Sequence, residues 1–204
     1  MKKTIVASII AKSQKELNER IKKVNSLNRI QLDIMDGKFV KNKSLMFDFK
    51  VPKGKKYEAH LMVSNPLAWI KKNSRKVNTI IFHIESTNNP ESLIKLIKSK
   101  KKHVGIAINP RTSVDKVKPY LNKINMVLVM TVTPGKYGSK FLPNSLKKVK
   151  QLRKLKPRLN IEVDGGINNK TISKASKAGS GSFVSGSYLQ KSENLKKAVK
   201  ELRK

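Results

Sequence analysis

Ile30-Gln31-Leu32-Asp33-Ile34-Met35-Asp36-Gly37 decides how this chain is read: an apolar run that carries an aspartate where a strand would end and closes on a glycine. Ile161-Glu162-Val163-Asp164-Gly165-Gly166-Ile167 repeats the arrangement near the other end of the sequence. The chain holds only 13 acidic residues against 46 lysines and arginines, yet Asp33 and Asp164 sit inside hydrophobic segments. A buried carboxylate costs free energy unless it is paired, metal-bound or used in chemistry. An acid at the end of a buried strand is also what an active site at the mouth of a β/α barrel requires.

Outward from these two stretches the pattern repeats. Short β-branched runs at 4–10, 29–35, 58–63, 79–84, 104–108, 126–132, 160–164 and 182–185 read as strands. Lys-rich amphipathic segments at 14–23, 66–73, 90–100, 113–121, 145–155, 170–178 and 192–202 read as helices. Several open on a cap or a first-turn proline: Ser13, Asn65-Pro66, Asn89-Pro90 and Thr112. Near-continuous apolar strands alternating with helices imply a parallel sheet. Eight such units in 204 residues fit an α/β fold of the closed (β/α)₈ TIM-barrel type, with residues 1–204 as one domain. The second unit is the weakest, since 41–56 contains Pro52 and Gly54 and no helical pattern.

Composition narrows the function classes. No apolar run reaches the ~18 residues that would span a bilayer. The start, Met1-Lys2-Lys3-Thr4-Ile5-Val6, lacks the cleavage pattern of a signal peptide. Without cysteines there are no disulfides and no thiolate chemistry, and a cytoplasmic location is the default expectation. The net charge of +33 invites a nucleic-acid reading. Against it, the lysines are spread over every predicted helix and loop, and aromatics make up 5% with no basic-aromatic interleaving. Specific nucleic-acid binding is therefore not expected, nor is a membrane partner. Such a field would attract small phosphorylated metabolites. A homo-oligomer is compatible with the sequence.

The predicted strand ends collect chemistry-bearing residues: Ser8, then Asp33 and Met35, His60 and Met62, His83, Asn109, Met130 and Asp164. Two of the three histidines fall in this set. In a barrel these side chains converge on one mouth. Asp36, next to Gly37, reads instead as a turn-former that accepts backbone hydrogen bonds. Glycines form a second set: Gly135 and Gly138 after the sixth strand, Gly165 and Gly166 after the seventh, Gly186 with Ser187 after the eighth. Loops at these places in barrels commonly hold a phosphate through backbone N–H groups.

On these residues the chain resembles the ribulose-phosphate 3-epimerase family. The matching stretches run in order over nearly the whole sequence: Ala7-Ser8-Ile9-Ile10, Leu32 to Val40, His60-Leu61-Met62-Val63, Phe82-His83-Ile84-Glu85, Gly105 to Thr112, Met130 to Gly135, Val163 to Ile167 and Val184 to Ser187. Barrels that decarboxylate or condense sugar phosphates use an Asp-x-Lys-x-x-Asp motif. Asp33-Ile34-Met35-Asp36 has no lysine at that place.

The resemblance implies a pentose-phosphate-pathway isomerase acting on a ketopentose 5-phosphate. One acid removes the C3 proton, an enediolate forms, and the other acid returns a proton to the opposite face. Asp33 and Asp164 match the family's acid/base pair. A divalent metal (zinc, manganese, magnesium or iron) is held in the family by two His and these two Asp. Here His60, Asp33 and Asp164 match, and the fourth ligand falls at Gln31. Ser8 matches a substrate-contacting serine, and Met35, Met62 and Met130 match methionines that line the site; their plain reading is core filler.

Gln31 departs from the family's histidine. Period two along a strand keeps it on the same face as Asp33. An amide oxygen is a weaker ligand than imidazole for zinc or iron, so a weakened metal site is expected. The sixth loop reads Gly135-Lys136-Tyr137-Gly138-Ser139 where the family has Gly-Phe-Gly-Gly-Gln, and Lys136 is expected to compensate for a displaced backbone donor. Two alternatives stand beside an active epimerase: a catalytically weakened homologue that binds a sugar phosphate or an acidic partner, and an epimerase for a six-carbon ketose phosphate.

Overall fold

The computed structural model describes residues 3–135 and 138–204. In chain order its strands are β1 (Thr4–Ile9), β2 (Arg29–Asp36), β3 (Lys43–Ser44), β4 (Lys56–Met62), β5 (Thr79–His83), β6 (His103–Ile108), β7 (Met126–Met130), β8 (Asn160–Asp164) and β9 (Ser182–Ser185). All but β3 are parallel to their neighbours, and β1 pairs with both β9 and β2, so the sheet closes into a barrel. The two-residue β3 pairs antiparallel with the end of β2.

Alternation along the strands explains the closure. On β2, Ile30, Leu32 and Ile34 belong to the apolar layer between sheet and helices, while Gln31, Asp33 and Met35 take the opposite side. On β8, Ile161 and Val163 join that outer layer and Glu162 and Asp164 face the other way. A second, smaller apolar cluster of Val6, Ile81, Ala107, Met126, Leu128, Met130, Val132 and Val184 fills the barrel itself. Strands buried on both faces read as continuous apolar runs for this reason.

The helices are α1 (Gln14–Lys23), α2 (Pro66–Asn73), α3 (Pro90–Ser99), α4 (Leu146–Leu155), α5 (Ile172–Lys177), α6 (Ser187–Lys191) and α7 (Leu195–Arg203). The side chains of Ser13, Asn65 and Asn89 cap α1, α2 and α3 as the sequence implies, accepting from Glu16, Ala68 and Ser92 backbone nitrogens. The segment 113–121 is a correction. It forms two 3₁₀ turns, Val114–Lys116 and Lys118–Tyr120, rather than one α-helix. Pro119 cannot donate to the carbonyl four residues back, so an α-helix cannot run through it. The cap there is Ser113, accepting from the Asp115 nitrogen, and the Thr112 hydroxyl is engaged elsewhere. The helix expected at 192–202 is α7, which starts later, at Leu195 on the Asn194 cap, and runs to Arg203; the short α6 precedes it. As expected, 41–56 holds no helix.

Under the mouth, Arg29 Nη2 pairs with Glu58 Oε2 at 3.0 Å, and Glu162 lies fully buried beside them. Burial, then the neighbouring Glu58, pushes the Glu162 carboxyl well above the usual range. The Arg29–Glu58 ion pair and the buried Glu162 carboxyl form the floor on which the site is built.

Candidate active site

Register brings the acids together. Asp33 on β2 pairs with His60 on the adjacent β4, and Asp164 on β8 pairs with Met130 on β7. From opposite parts of the barrel, Asp33 and Asp164 aim at one point. His60 Nδ1 lies 3.3 Å from Asp33 Oδ1 and 3.3 Å from Asp164 Oδ2. Gln31 Nε2 donates to Asp33 Oδ1 at 2.8 Å and to Asp164 Oδ2 at 2.7 Å. The amide nitrogen is thus turned to the acids, and Gln31 Oε1 is buried with no partner among the described residues.

The electrostatics follow from this packing. Burial raises the Asp33 carboxyl, and the nearby Asp164 charge raises it further against the hydrogen bonds from His60 and Gln31. Burial alone would lower His60, but the bonds and charges of the two acids outweigh it and lift the imidazole to about 9. Asp36 behaves as the turn-former expected. It accepts from the backbone of Lys38, Phe39 and Ser64 and from the Ser64 hydroxyl.

A single cleft above the acids is lined by Ser8, Met35, Met62 and Met130 together with Asp33, His60 and Asp164. Its far wall is made by Gly135, Gly138, Gly165, Gly166, Gly186 and Ser187. Of the residues expected at the mouth, Gln31, His83 and Asn109 do not line this cleft: Gln31 is fully buried and touches the acids, His83 is fully buried behind His60, and Asn109 bonds Glu85 through its backbone nitrogen. Gly165 has φ 113°, and a Cβ there would fall 2.3 Å from Val132 Cγ2, so the loop comes close only because the residue is glycine. Lys136 and Tyr137 lie outside the described residues, and the compensation expected of Lys136 with them.

Two participants were not singled out as functional by sequence reasoning. Glu85 faces His83 from the turn after β5, with Oε2 3.2 Å from His83 Nδ1. Burial pushes Glu85 up, but bonds from His83, Thr112 and the Asn109 backbone hold it at about 2. Lys148, on α4, donates to the carbonyls of Asn109 and Pro110. The acid two residues after His83 was the available signal for the first. Nothing local in sequence marks the second.

A divalent cation suits the donor set. Asp33, His60 and Asp164 each offer a ligand atom, all within 4.8 Å of one another. Two carboxylates and one imidazole are donors that Zn²⁺, Mn²⁺ and Fe²⁺ accept. The partnerless Gln31 Oε1 is a further oxygen that a turned amide could bring to the same point.

A model described as the ribulose-phosphate 3 epimerase family matches residues 4–190. The chain belongs to the ribulose-phosphate 3-epimerase family. It is 33% identical over 208 residues to the ribulose-phosphate 3-epimerase of Schizosaccharomyces pombe, covering 98% of this chain and 90% of that protein. Similarity to the cytoplasmic isoform of Oryza sativa subsp. japonica is 38% over 184 residues, covering 86% and 81%. Among solved structures, a mutant tryptophan synthase α-subunit from Pyrococcus furiosus shares the fold, with a TM-score of 0.75 at 15% identity over 99% of each chain. Membership of the ribulose-phosphate 3-epimerase family makes the chain an epimerase, and so an isomerase. No helix among the described residues is long and apolar enough to cross a membrane.

Proposed function

We propose that this chain interconverts D-ribulose 5-phosphate and D-xylulose 5-phosphate, as a cytoplasmic enzyme of the pentose phosphate pathway. The observation that carries the reading is the meeting of Asp33 and Asp164 from separate strands, tied through Gln31 Nε2 at 2.8 and 2.7 Å. Inversion at one carbon needs an acid/base group on each face, and two carboxylates from different walls of a barrel supply them.

In this mechanism one Asp takes the C3 proton and the other delivers a proton to the opposite face. The raised Asp33 carboxyl brings its proton affinity nearer to neutral pH, where a general acid/base works best. Asp33, His60 and Asp164 would hold the divalent metal, with Gln31 as the candidate fourth donor. When bound, that metal supplies Lewis-acid polarisation of the ketone and positive charge beside the developing enediolate. Met35, Met62 and Met130 wall the reacting carbons and limit water. Ser8 binds the sugar hydroxyls. Backbone N–H groups around Gly166, Gly186 and Ser187 hold the phosphate, with the glycines at Gly135, Gly138 and Gly165 letting the loops approach. The +33 surface draws the dianionic substrate in.

Gln31 favours one second reading, a homologue that binds sugar phosphate and turns over slowly. A coupled assay of D-ribulose 5-phosphate conversion, run with and without chelator, tests both. Turnover that chelator lowers supports the proposal. Binding of the substrate without turnover in added Zn²⁺, Mn²⁺ or Mg²⁺ replaces it with the second reading. A six-carbon ketose phosphate converted in preference would move the substrate assignment.

A further inference from the structure

Behind His60 stands a second buried histidine. His60 Nε2 and His83 Nε2 are 2.8 Å apart. The rings are tilted by only 23° with centroids 5.0 Å apart, so they meet edge to edge, nitrogen to nitrogen. His83 Nδ1 in turn faces Glu85 Oε2 at 3.2 Å. Glu85 Oε1 accepts from the Asn109 backbone nitrogen at 2.9 Å and from the Thr112 hydroxyl. Lys148 Nζ pins the same loop, at 2.6 Å from the Asn109 carbonyl and 2.7 Å from that of Pro110. A continuous chain therefore runs from the loop after β6 through Glu85, His83 and His60 to the two acids.

The hydrogens along this chain can be placed from what each group can do. A carboxylate only accepts, so the hydrogen between Glu85 and His83 sits on His83 Nδ1. His83 is fully buried, packed on the Phe39 ring at 4.8 Å between centroids and backed against another imidazole. In that surrounding it carries one hydrogen rather than two. Its Nε2 is then an acceptor, and the hydrogen of the 2.8 Å contact belongs to His60 Nε2. His60 Nδ1 is left facing Asp33 and Asp164, with Gln31 Nε2 3.4 Å away. Without a cation it takes a second proton, shared with the two acids; once that proton leaves, it is the nitrogen whose lone pair a cation would meet.

We propose that Glu85 and His83 are positioning residues that fix which ring nitrogen of His60 carries its hydrogen, and so present His60 Nδ1 to the Asp33–Asp164 pair. The inference rests on the reading of Asp33, His60 and Asp164 as a metal-holding group. A neutral imidazole has one lone pair. With the hydrogens reversed along the chain, an N–H would point at the ligand position, and the residue would repel a cation instead of holding it. Partners of this kind set the tautomer and basicity of ligating histidines.

Nitrogen NMR of the ¹⁵N-histidine-labelled protein reads the hydrogens directly, because the chain has three histidines and His103→Gln identifies the third. The expected result is His83 neutral with its hydrogen on Nδ1, and Zn²⁺ shifting His60 Nδ1 while Nε2 stays protonated. A hydrogen on His83 Nε2 overturns the proposal, and this measurement on wild type holds even where a variant does not fold. By calorimetry, Glu85→Ala and His83→Phe should each weaken Zn²⁺ binding by about ten- to a hundredfold, the usual cost of losing such a partner. His83→Gln, whose amide oxygen can still accept from His60 Nε2, should recover part of that loss. Unchanged Zn²⁺ affinity in Glu85→Ala overturns the proposal. A wild type with the expected hydrogens that fails to epimerise overturns only the substrate reading, and an active epimerase with a hydrogen on His83 Nε2 overturns only this one.

Discussion

Gln31 and Asp164 are joined by a 2.7 Å hydrogen bond that crosses the barrel interior between strands that are not neighbours. The same amide nitrogen reaches Asp33 at 2.8 Å, so one neutral donor holds both acids in place. For Gln31 to ligate a cation through its oxygen, the amide must turn over and give up both bonds to charged acceptors. Such bonds are stronger than neutral ones. Gln31 therefore lowers metal affinity twice: as a poor ligand, and as a competitor for the carboxylates.

The first prediction follows directly. Gln31→His should bind Zn²⁺ more tightly by about tenfold or more, at least what the loss of an outer partner usually costs. Metal content after dialysis, with calorimetric titration of both proteins, measures it. Equal affinity for wild type and variant would mean that the amide oxygen is an adequate ligand. Wild-type activity that survives full removal of metal would assign enediolate stabilisation to Gln31 and His60 themselves.

The two-base reading makes a second prediction. Asp33→Asn and Asp164→Asn should each reduce kcat by ~10²-fold or more, the scale of a positioned general acid or base. Both are near-isosteric, and each keeps one oxygen able to accept from Gln31. Near-wild-type turnover in either variant would strip that residue of its role. Because the acids act on opposite faces, solvent deuterium uptake at C3 should be lost from one substrate direction before the other.

How much of this was legible beforehand differs between elements. The barrel was readable because its strands are buried on both sides, so Ile30-Leu32-Ile34 and Ile161-Val163 stand out against a lysine-rich chain. Asp36 was readable because an acid before glycine has few other uses. The 113–121 segment was misread because its apolar spacing is helical while Pro119 forbids the helix. Gln31 was correctly placed on the inner face. Which end of its amide points at the acids depends on charge meeting from two distant strands, and local sequence carries no trace of that. The Glu85–His83–His60 chain was hidden for the same reason, since its links come from β4, β5 and the loop after β6.

The third prediction concerns the phosphate. Gly166 has φ 66°, and a Cβ there would lie 2.9 Å from Phe141 Cβ. Gly166→Ala should therefore push the loop back from the anion. The expected effect is a rise in KM with a smaller change in kcat, because the phosphate is remote from the reacting carbon. A crystal soaked in phosphate should show the anion near Gly166, Gly186 and Ser187. An anion found only at surface lysines, with unchanged KM in Gly166→Ala, would rule the location out.

Asp36 gives the last prediction, on stability. Its carboxylate ties the end of β2 to Ser64, just after β4, and shapes the turn that carries Phe39 onto His83. Partial burial pushes the group up, but its hydrogen bonds from Ser64, Phe39 and Lys38 win and hold it at about 2, against an ordinary 3.8. Between those values the unfolded chain binds a proton that the folded chain does not. The stabilisation is therefore present in full above 3.8 and is lost as pH falls toward 2. Asp36→Asn retains one accepting oxygen and removes the titration. The variant should unfold at lower urea than wild type at neutral pH, and the gap should close as pH falls through this window. Repulsion among the surface lysines acts on both proteins alike and cancels in the difference. A gap of constant size from neutral pH down to about pH 2 would show that the Asp36 bonds do not depend on its charge.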